Sequence, residues 1–329
     1  MMKLSKIAKQ LNKDIKKYDS FLILPHIMAD GDTIGCCIAM ARYITSRGKK
    51  ALMLLEEKIP YIYSFMEDSC DMEVYVPDKE YNFDVCIVLD TADINRLGRR
   101  KSFLKNKVSY NIDHHKTNDG YAMYNFINAD VSSVGEIIYD LFTKMKASID
   151  HDIAQAIYVA IATDTGGFRY QNTNKNCFII SSRLMDYDIN VEKISEWVFE
   201  RTSMNKLYLF KNTIKNIKLY FDNRVAISVL RREEYMHLDV ADEDFEGLVN
   251  VVKNIEGVEV GVFLRERNSD REVKGSLRSN TDEIDVSVIA KTFGGGGHAR
   301  AAGLSCNMTL DQVYDGMIEK LNEVYGCTE

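Results

Sequence analysis

What is scarce in this chain narrows its class before any motif is considered. Lysine and arginine total 42 against 49 acidic residues, a formal net charge of -7. Residues 1–190 are close to neutral and 191–329 acidic, so the electrostatic footprint of a protein that tracks long nucleic acid is missing. No apolar run approaches the ~20 residues that a membrane span needs, and the opening MMKLSKIAKQLNKDIKKY lacks the apolar stretch of a signal peptide; the expectation is a cytoplasmic protein. The 7 cysteines are odd in number and form no CxxC. That excludes a disulfide framework and a zinc ribbon and leaves reduced, mostly buried thiols. No segment rich in proline and glycine separates the halves of the chain, and only 3 prolines occur in all.

What is present is an ordinary globular composition, 46% hydrophobic and 28% charged over 329 residues, long enough for two domains with a core each. The organising stretch is FLILPHIMADGDTIGC, Phe21 to Cys36. Its apolar run reads as a buried parallel strand, and an apolar-periodic segment closed by Gly48 reads as the following helix, with Asp32-Thr33 as its N-cap. His26, Asp30 and Asp32 therefore stand at the carboxyl end of a strand, where open α/β sheets hold their ligands. Asp30 as a turn former and Asp32 as a cap would be the plain structural explanation. The pattern recurs, however. Val85–Leu89 ends in Asp90, Val108–Ile112 ends in Asp113-His114-His115, and Asp164 follows the helical stretch Ile153–Ala162.

Strand and helix alternate through the first part, which predicts a parallel, Rossmann-like sheet with helices on both faces. Leu4, Ile7, Leu11 and Ile15 form one apolar stripe of a helix that covers this sheet. Ser133 and Glu136 have capping-box spacing, and His151 is a helix-entry residue. The expected organisation is a metal-binding domain over 1–189, a helical connector over 190–218, and a smaller α/β domain over 219–329. In the last, strands over 258–264 and 272–277 joined by an Asn268-Ser269-Asp270 turn predict a hairpin and hence a mixed sheet. Helices are expected over 242–254 and 286–293. Gly294 to Gly297 then precede His298 and Arg300. Four glycines permit positive φ and close backbone approach, so their N–H groups can cradle an anion.

Taken together, HxxxDxD (His26, Asp30, Asp32), LDTAD around Asp90, Asp113-His114-His115, TDTGGFRY at Asp164 and GGGGHARAAG from Gly294 resemble the DHH/DHHA1 phosphoesterases over essentially the whole chain. In length and domain order the chain is similar to the small members that degrade oligoribonucleotides and pAp or cleave pApA and cyclic di-AMP. The resemblance implies two Mn²⁺ ions, with Fe²⁺, Co²⁺ or Mg²⁺ as substitutes. His26, Asp30 and Asp90 would hold one, and Asp32, Asp90, His114 and Asp164 the other, activating a bridging water for in-line attack on phosphorus. Asp113 is expected to orient His114, with His115 near the scissile phosphate, so Asp90, Asp113, His114 and His115 form the catalytic group. Arg278, Ser279, Gly294, Gly295, Gly296, Gly297, His298 and Arg300 are expected to bind nucleotide. The partners implied are short RNA or small nucleotides, with no long nucleic-acid track and no membrane; a homodimer stays open. Cyclic di-AMP hydrolysis as the main activity, an inorganic pyrophosphatase and a non-catalytic nucleotide-binding module are the alternatives.

Overall fold

A computed structural model describes residues 2–267, 269 and 271–326. They fall into two compact units, Met1–Arg201 and Thr202–Glu329. The helical stretch over 190–218 lies on both sides of that division.

The first unit runs α1 (Leu4–Lys17), β1 (Ser20–Leu24), α2 (Gly31–Ser46), β2 (Lys50–Leu55), β3 (Met72–Val74), β4 (Val85–Leu89), β5 (Val108–Asp113), β6 (Tyr124–Ile127), α3 (Val134–Met145), α4 (His151–Asp164), α5 (Lys175–Leu184) and α6 (Val191–Ser195). Its six strands are all parallel, in the order β3-β2-β1-β4-β5-β6. The chain builds outward from β1 to β3, then returns to the other side of β1 with β4. The order therefore reverses between β1 and β4, and the crevice beyond their carboxyl ends is the switch point where such sheets bind ligands.

Phe21 to Leu24 and all of β4 are buried, which is why these strands read as unbroken apolar runs. Each fully buried aliphatic side chain contributes roughly 1.5–3 kcal/mol. Ile7, Leu11 and Ile15 of α1 are buried and the helix packs chiefly on α3 and beside β6, so the stripe covers a helical layer more than the sheet itself. Helix α2 lies unusually close to α4. A Cβ on Gly35 would stand 2.2 Å from the Ala156 carbonyl oxygen, and one on Gly31 2.4 Å from the Thr163 side chain. That approach brings the first turn of α2, with Asp32, to the end of α4, with Asp164.

The second unit comprises α7 (Met204–Lys215), β7 (Lys218–Tyr220), β8 (Val225–Leu230), α8 (Leu248–Lys253), β9 (Val260–Glu266), β10 (Val273–Ser279), α9 (Val286–Lys291), β11 (Gly296–His298), β12 (Ala301–Cys306) and α10 (Leu310–Tyr325). Its mixed sheet has the order β11-β12-β10-β9-β8-β7. The hairpin is present as an antiparallel β9–β10 pair with Val273 opposite Glu266; of its expected turn, Asn268 and Asp270 lie outside the described residues. The helix expected over 242–254 is broken. A 3₁₀ turn, Asp242–Phe245, is separated from α8 by Gly247 at φ 84°, and the Asp242 carboxylate is committed to Arg265, Arg267 and Lys274. No helix among the described residues is long and apolar enough to cross a membrane.

Candidate metal centre

Each predicted donor of the first unit sits where a strand or helix releases the chain. His26 and Asp30 follow β1, Asp90 follows β4, Asp113 ends β5 with His114 and His115 behind it, and Asp164 ends α4. The helix cap differs from the expectation. Asp30, not the Asp32-Thr33 pair, caps α2, its carboxylate accepting from the Thr33 N–H at 3.1 Å. Asp32 lies inside the first turn, buried, and accepts from the N–H groups of Val134 at 2.7 Å and Gly135 at 2.9 Å. It thus caps the neighbouring α3, whose N-terminal dipole favours the carboxylate charge.

Three overlapping groups of donor atoms result: His26, Asp30 and Asp90; Asp32, His114 and Asp164; and Asp90, His114 and His115. Within each, the donor atoms lie within 4.8 Å of one another. His26 Nε2 is 3.6 Å from Asp30 and 3.7 Å from Asp90, and His114 Nε2 is 3.6 Å from Asp90 and 3.7 Å from Asp164. These separations exceed those of hydrogen bonds. They suit donor atoms that face a common ion.

The electrostatics point the same way. Burial, then the charges of Asp90, Asp164 and Asp30, pushes the Asp32 carboxyl well above its ordinary range. Burial and the charges of Asp30, Asp113 and Asp164 do the same to Asp90, with Arg96 opposing. Burial and Asp30 push Asp164 up to about 7. Burial, then the neighbouring His115, pulls His114 below the usual histidine range, favouring the neutral imidazole that a metal requires. His26 Nε2, Asp90 Oδ1 and Asp164 Oδ2 are buried without a hydrogen-bond partner. Buried polar atoms are nearly always satisfied, and these three belong to the converging groups. The residues fit a divalent-cation centre.

Asp113, expected to orient His114, contacts both histidines that follow it. Its Oδ1 accepts the His115 ring Nδ1–H at 2.8 Å and the N–H groups of His114 and His115 at 2.8 and 3.3 Å, so it fixes the His115 ring and only the backbone of His114. Burial pushes the Asp113 carboxyl up, but the His115 bond and charge, with Asn118 and the His114 N–H, hold it below the ordinary value. Sequence reasoning also gave Arg96 no part in the site. Its guanidinium stands 3.0 Å from His26 Nδ1, while its carbonyl accepts from the Ile27 N–H at 2.7 Å.

In the second unit the predicted residues gather around β10, β11 and β12. Arg278 and Ser279 end β10, Arg278 opposite Ala301 in the ladder, and the Arg300 carbonyl accepts from the Ser279 N–H at 3.0 Å. Arg300 pairs with Asp282 at 2.6 Å, and His298 is exposed. The glycine run is only partly a loop. Gly294 and Gly295 donate to the carbonyls of Lys291 and Ala290, closing α9, while Gly296 and Gly297 enter β11. A Cβ on Gly295 would stand 2.2 Å from the Gly303 carbonyl oxygen, and Gly297 takes φ 144° with Ala301 O 2.5 Å from a Cβ position. Close packing on β12 is therefore what demands glycine at these two positions.

The chain matches the DHH family, N-terminal domain, over residues 20–161 and the DHHA1 domain over residues 222–326. It is 26% identical to the bifunctional oligoribonuclease and PAP phosphatase NrnA of Thermus thermophilus, over 92% of this chain and 89% of that protein. The NrnA of Bacillus subtilis is 25% identical, over 90% and 92%. A crystal structure of an exopolyphosphatase-related protein from Bacteroides fragilis superposes with TM-score 0.88 at 27% identity, covering 97% of each chain. The chain belongs to the DHH family as a phosphoester hydrolase, its DHH N-terminal domain followed by a DHHA1 domain.

Proposed function

We propose that the protein is a manganese-dependent phosphoesterase that cleaves dinucleotides and very short oligoribonucleotides to mononucleotides and removes the 3′-phosphate of pAp. The observation that carries this reading is the convergence of the partnerless, buried His26 Nε2, Asp90 Oδ1 and Asp164 Oδ2 at the sheet's switch point. His26, Asp30 and Asp90 would hold one ion, and Asp32, Asp90, His114 and Asp164 a second. Carboxylate and imidazole donors without thiolate suit Mn²⁺, with Fe²⁺, Co²⁺ or Mg²⁺ able to substitute. When bound, such a pair supplies positive charge against the phosphoryl oxygens and makes water a competent nucleophile at neutral pH.

The chain's own residues orient and hold. With its proton on Nδ1, His26 would donate to the Ile27 carbonyl at 2.7 Å and keep the Nε2 lone pair for a ligand, and the Arg96 guanidinium, a donor 3.0 Å from the same nitrogen, would then turn elsewhere. Asp113 holds the His115 ring by Nδ1, leaving its Nε2 for the scissile phosphate. Asp32, fixed by two N–H groups of α3, keeps its place as α2 and α4 pack. Arg278, Ser279, His298, Arg300 and the Gly294–Gly297 backbone would bind the terminal nucleotide.

The names of the T. thermophilus and B. subtilis relatives support oligoribonucleotides and pAp as substrates. The DHHA1 match speaks against an inorganic pyrophosphatase, for which a different second domain is expected. Packed like-charged carboxylates speak against a binding module that never takes a cation. The test compares kcat/KM of the Mn²⁺-loaded protein on pAp, pApA, cyclic di-AMP, pyrophosphate and an RNA ladder from two to about twenty-four nucleotides, at fixed salt. The maximum is expected at dinucleotide size, with a fall as the RNA lengthens. Turnover that stays flat or rises with length, or a preference for pyrophosphate, overturns the reading.

A further inference from the structure

Asp90 occupies the left-handed region with φ 52°, a conformation that side-chain-bearing residues adopt rarely and hold only when their surroundings over-determine it. The next residue shows what does so here. The buried carbonyl of Thr91 accepts from three side chains: Tyr121 Oη at 2.8 Å, Asn118 Nδ2 at 3.1 Å and Asn111 Nδ2 at 3.2 Å. A carbonyl has two lone pairs, so this one is saturated by donors that share it. The Asn118 amide also lies 2.7 Å from Asn111 Oδ1 and 2.5 Å from Asp113 Oδ2, and Asn118 and Asn111 are themselves buried.

Asn118 therefore ties two loops together. One of its contacts is the carbonyl that follows Asp90 at the end of β4, and another is the carboxylate that holds the His114 and His115 backbone at the end of β5. Strands β4 and β5 are neighbours and their pairing runs as far as the Asp90 N–H, which donates to the Ile112 carbonyl at 3.0 Å; beyond that bond the two loops are tied by side chains. We infer that Asn118, with Tyr121 and Asn111, is a positioning residue: its amide donors hold the Asp90 turn and the His114–His115 turn in the register that lets Asp90 and His114 face one ion. This rests on the metal-centre reading proposed above.

The test titrates Mn²⁺ alone into chelator-stripped protein, reading affinity by Mn²⁺ electron paramagnetic resonance and apo-protein melting in parallel. Loss of the amide in Asn118→Ala is expected to weaken Mn²⁺ binding about 10- to 100-fold. Asn118→Asp keeps the shape but replaces donors by an acceptor facing the Thr91 carbonyl and Asp113. It is expected to bind more weakly still, whereas a residue that only fills space would tolerate Asp better than Ala. Tyr121→Phe removes one donor with no change of volume and is expected to lower affinity several-fold while apo melting stays at the wild-type value. Wild-type affinity in Asn118→Ala, or Asn118→Asp binding as well as or better than Asn118→Ala, overturns the inference and leaves the ligand set standing. So does an affinity loss in Tyr121→Phe matched by a lower apo melting temperature. A wild-type protein that takes up no Mn²⁺ overturns the ligand set and this inference together.

Discussion

Asp90 and Asp242 are both aspartates beside a sheet, one in each unit, and their surroundings are opposite. Around Asp90 the charges of Asp30, Asp113 and Asp164 push its carboxyl up beside the effect of burial, and Arg96 opposes them. Around Asp242 stand Arg265 at 2.5 Å, Arg267 at 3.1 Å and Lys274 at 3.2 Å; although burial pushes its carboxyl up, Arg265 and then Lys274 bring it down to about 2. The second arrangement is satisfied by the fold itself. The first is compensated only in part, by the histidines that hold Asp30 and Asp113 low and by Arg96, and the raised carboxyls that remain call for a cation from outside. The contrast separates an acidic group that serves structure from one that serves chemistry, and it can be attacked at four points.

The largest effect is expected at Asp90, which belongs to two of the three donor groups. Asp90→Ala should lower kcat/KM by at least 10³-fold on every substrate, since on the proposed ligand set it serves both ions. It should lose Mn²⁺ while the apo protein melts no lower than wild type, because the charge it removes repels Asp30, Asp113 and Asp164. A folded variant that keeps a third of the activity removes Asp90 from the centre.

The next effect concerns pH. A carboxyl raised in the folded state stabilises the fold below its unfolded value of about 3.9 and loses that contribution as pH climbs through the folded value. For Asp164 the window runs from there to about 7. Apo protein should therefore become less stable between about pH 4 and 7, and Mn²⁺ should raise the melting temperature more at pH 8 than at pH 5. Scanning calorimetry with and without Mn²⁺ decides it; an equal shift at both values means that these acids do not meet the ion.

Much of the centre was legible in the sequence because buried parallel strands are largely apolar, β5 admitting only Ser109 and Asn111 before Asp113. β1, β4 and β5 stood out as runs, and the residue that ends or follows each run lies at the crevice by geometry alone. What escaped was whatever depends on partners distant in the chain. Asp30 and Asp32 look interchangeable as caps until α3 is seen to bring the Val134 and Gly135 N–H groups to Asp32. Asn118 sits in a polar turn that composition assigns to the surface, yet it is buried. The strands β3 and β6 are short and only half-buried, so they carry no run. β11 was hidden by its glycines, which read as loop; Gly297 is there for contact with β12, whereas a Cβ on Gly296 would meet nothing within 4 Å.

A smaller effect is expected in the second unit. Arg300, whose guanidinium pairs with the exposed Asp282, is proposed to meet substrate phosphate. Arg300→Ala should raise KM about tenfold with kcat and Mn²⁺ affinity unchanged, the pattern of an interaction made equally in ground and transition states. Loss of manganese without loss of substrate affinity would displace the glycine segment from substrate binding.

The smallest effect is expected at Asp242, where the comparison is sharpest. Its carboxylate is about a third exposed, so solvent screens its three ion pairs and most of the shift in its titration does not become stability. The sign is nevertheless fixed. A depressed carboxyl contributes stability above its unfolded value, near 3.9, and loses it as pH falls towards about 2. Asp242→Asn removes that contribution at every pH at which the wild type is ionised, and the neutral amide still fills the space between Arg265, Arg267 and Lys274. The melting temperature should fall by a few degrees at pH 7, and the gap should close as the pH is taken below 3, where the wild-type carboxylate is itself becoming neutral. Mn²⁺ affinity and kcat should not move, because no donor atom of the centre belongs to this cluster. If the variant instead loses manganese, or melts higher than wild type as Asp90→Ala is free to do, Asp242 is not the satisfied structural acid that its three cations make it.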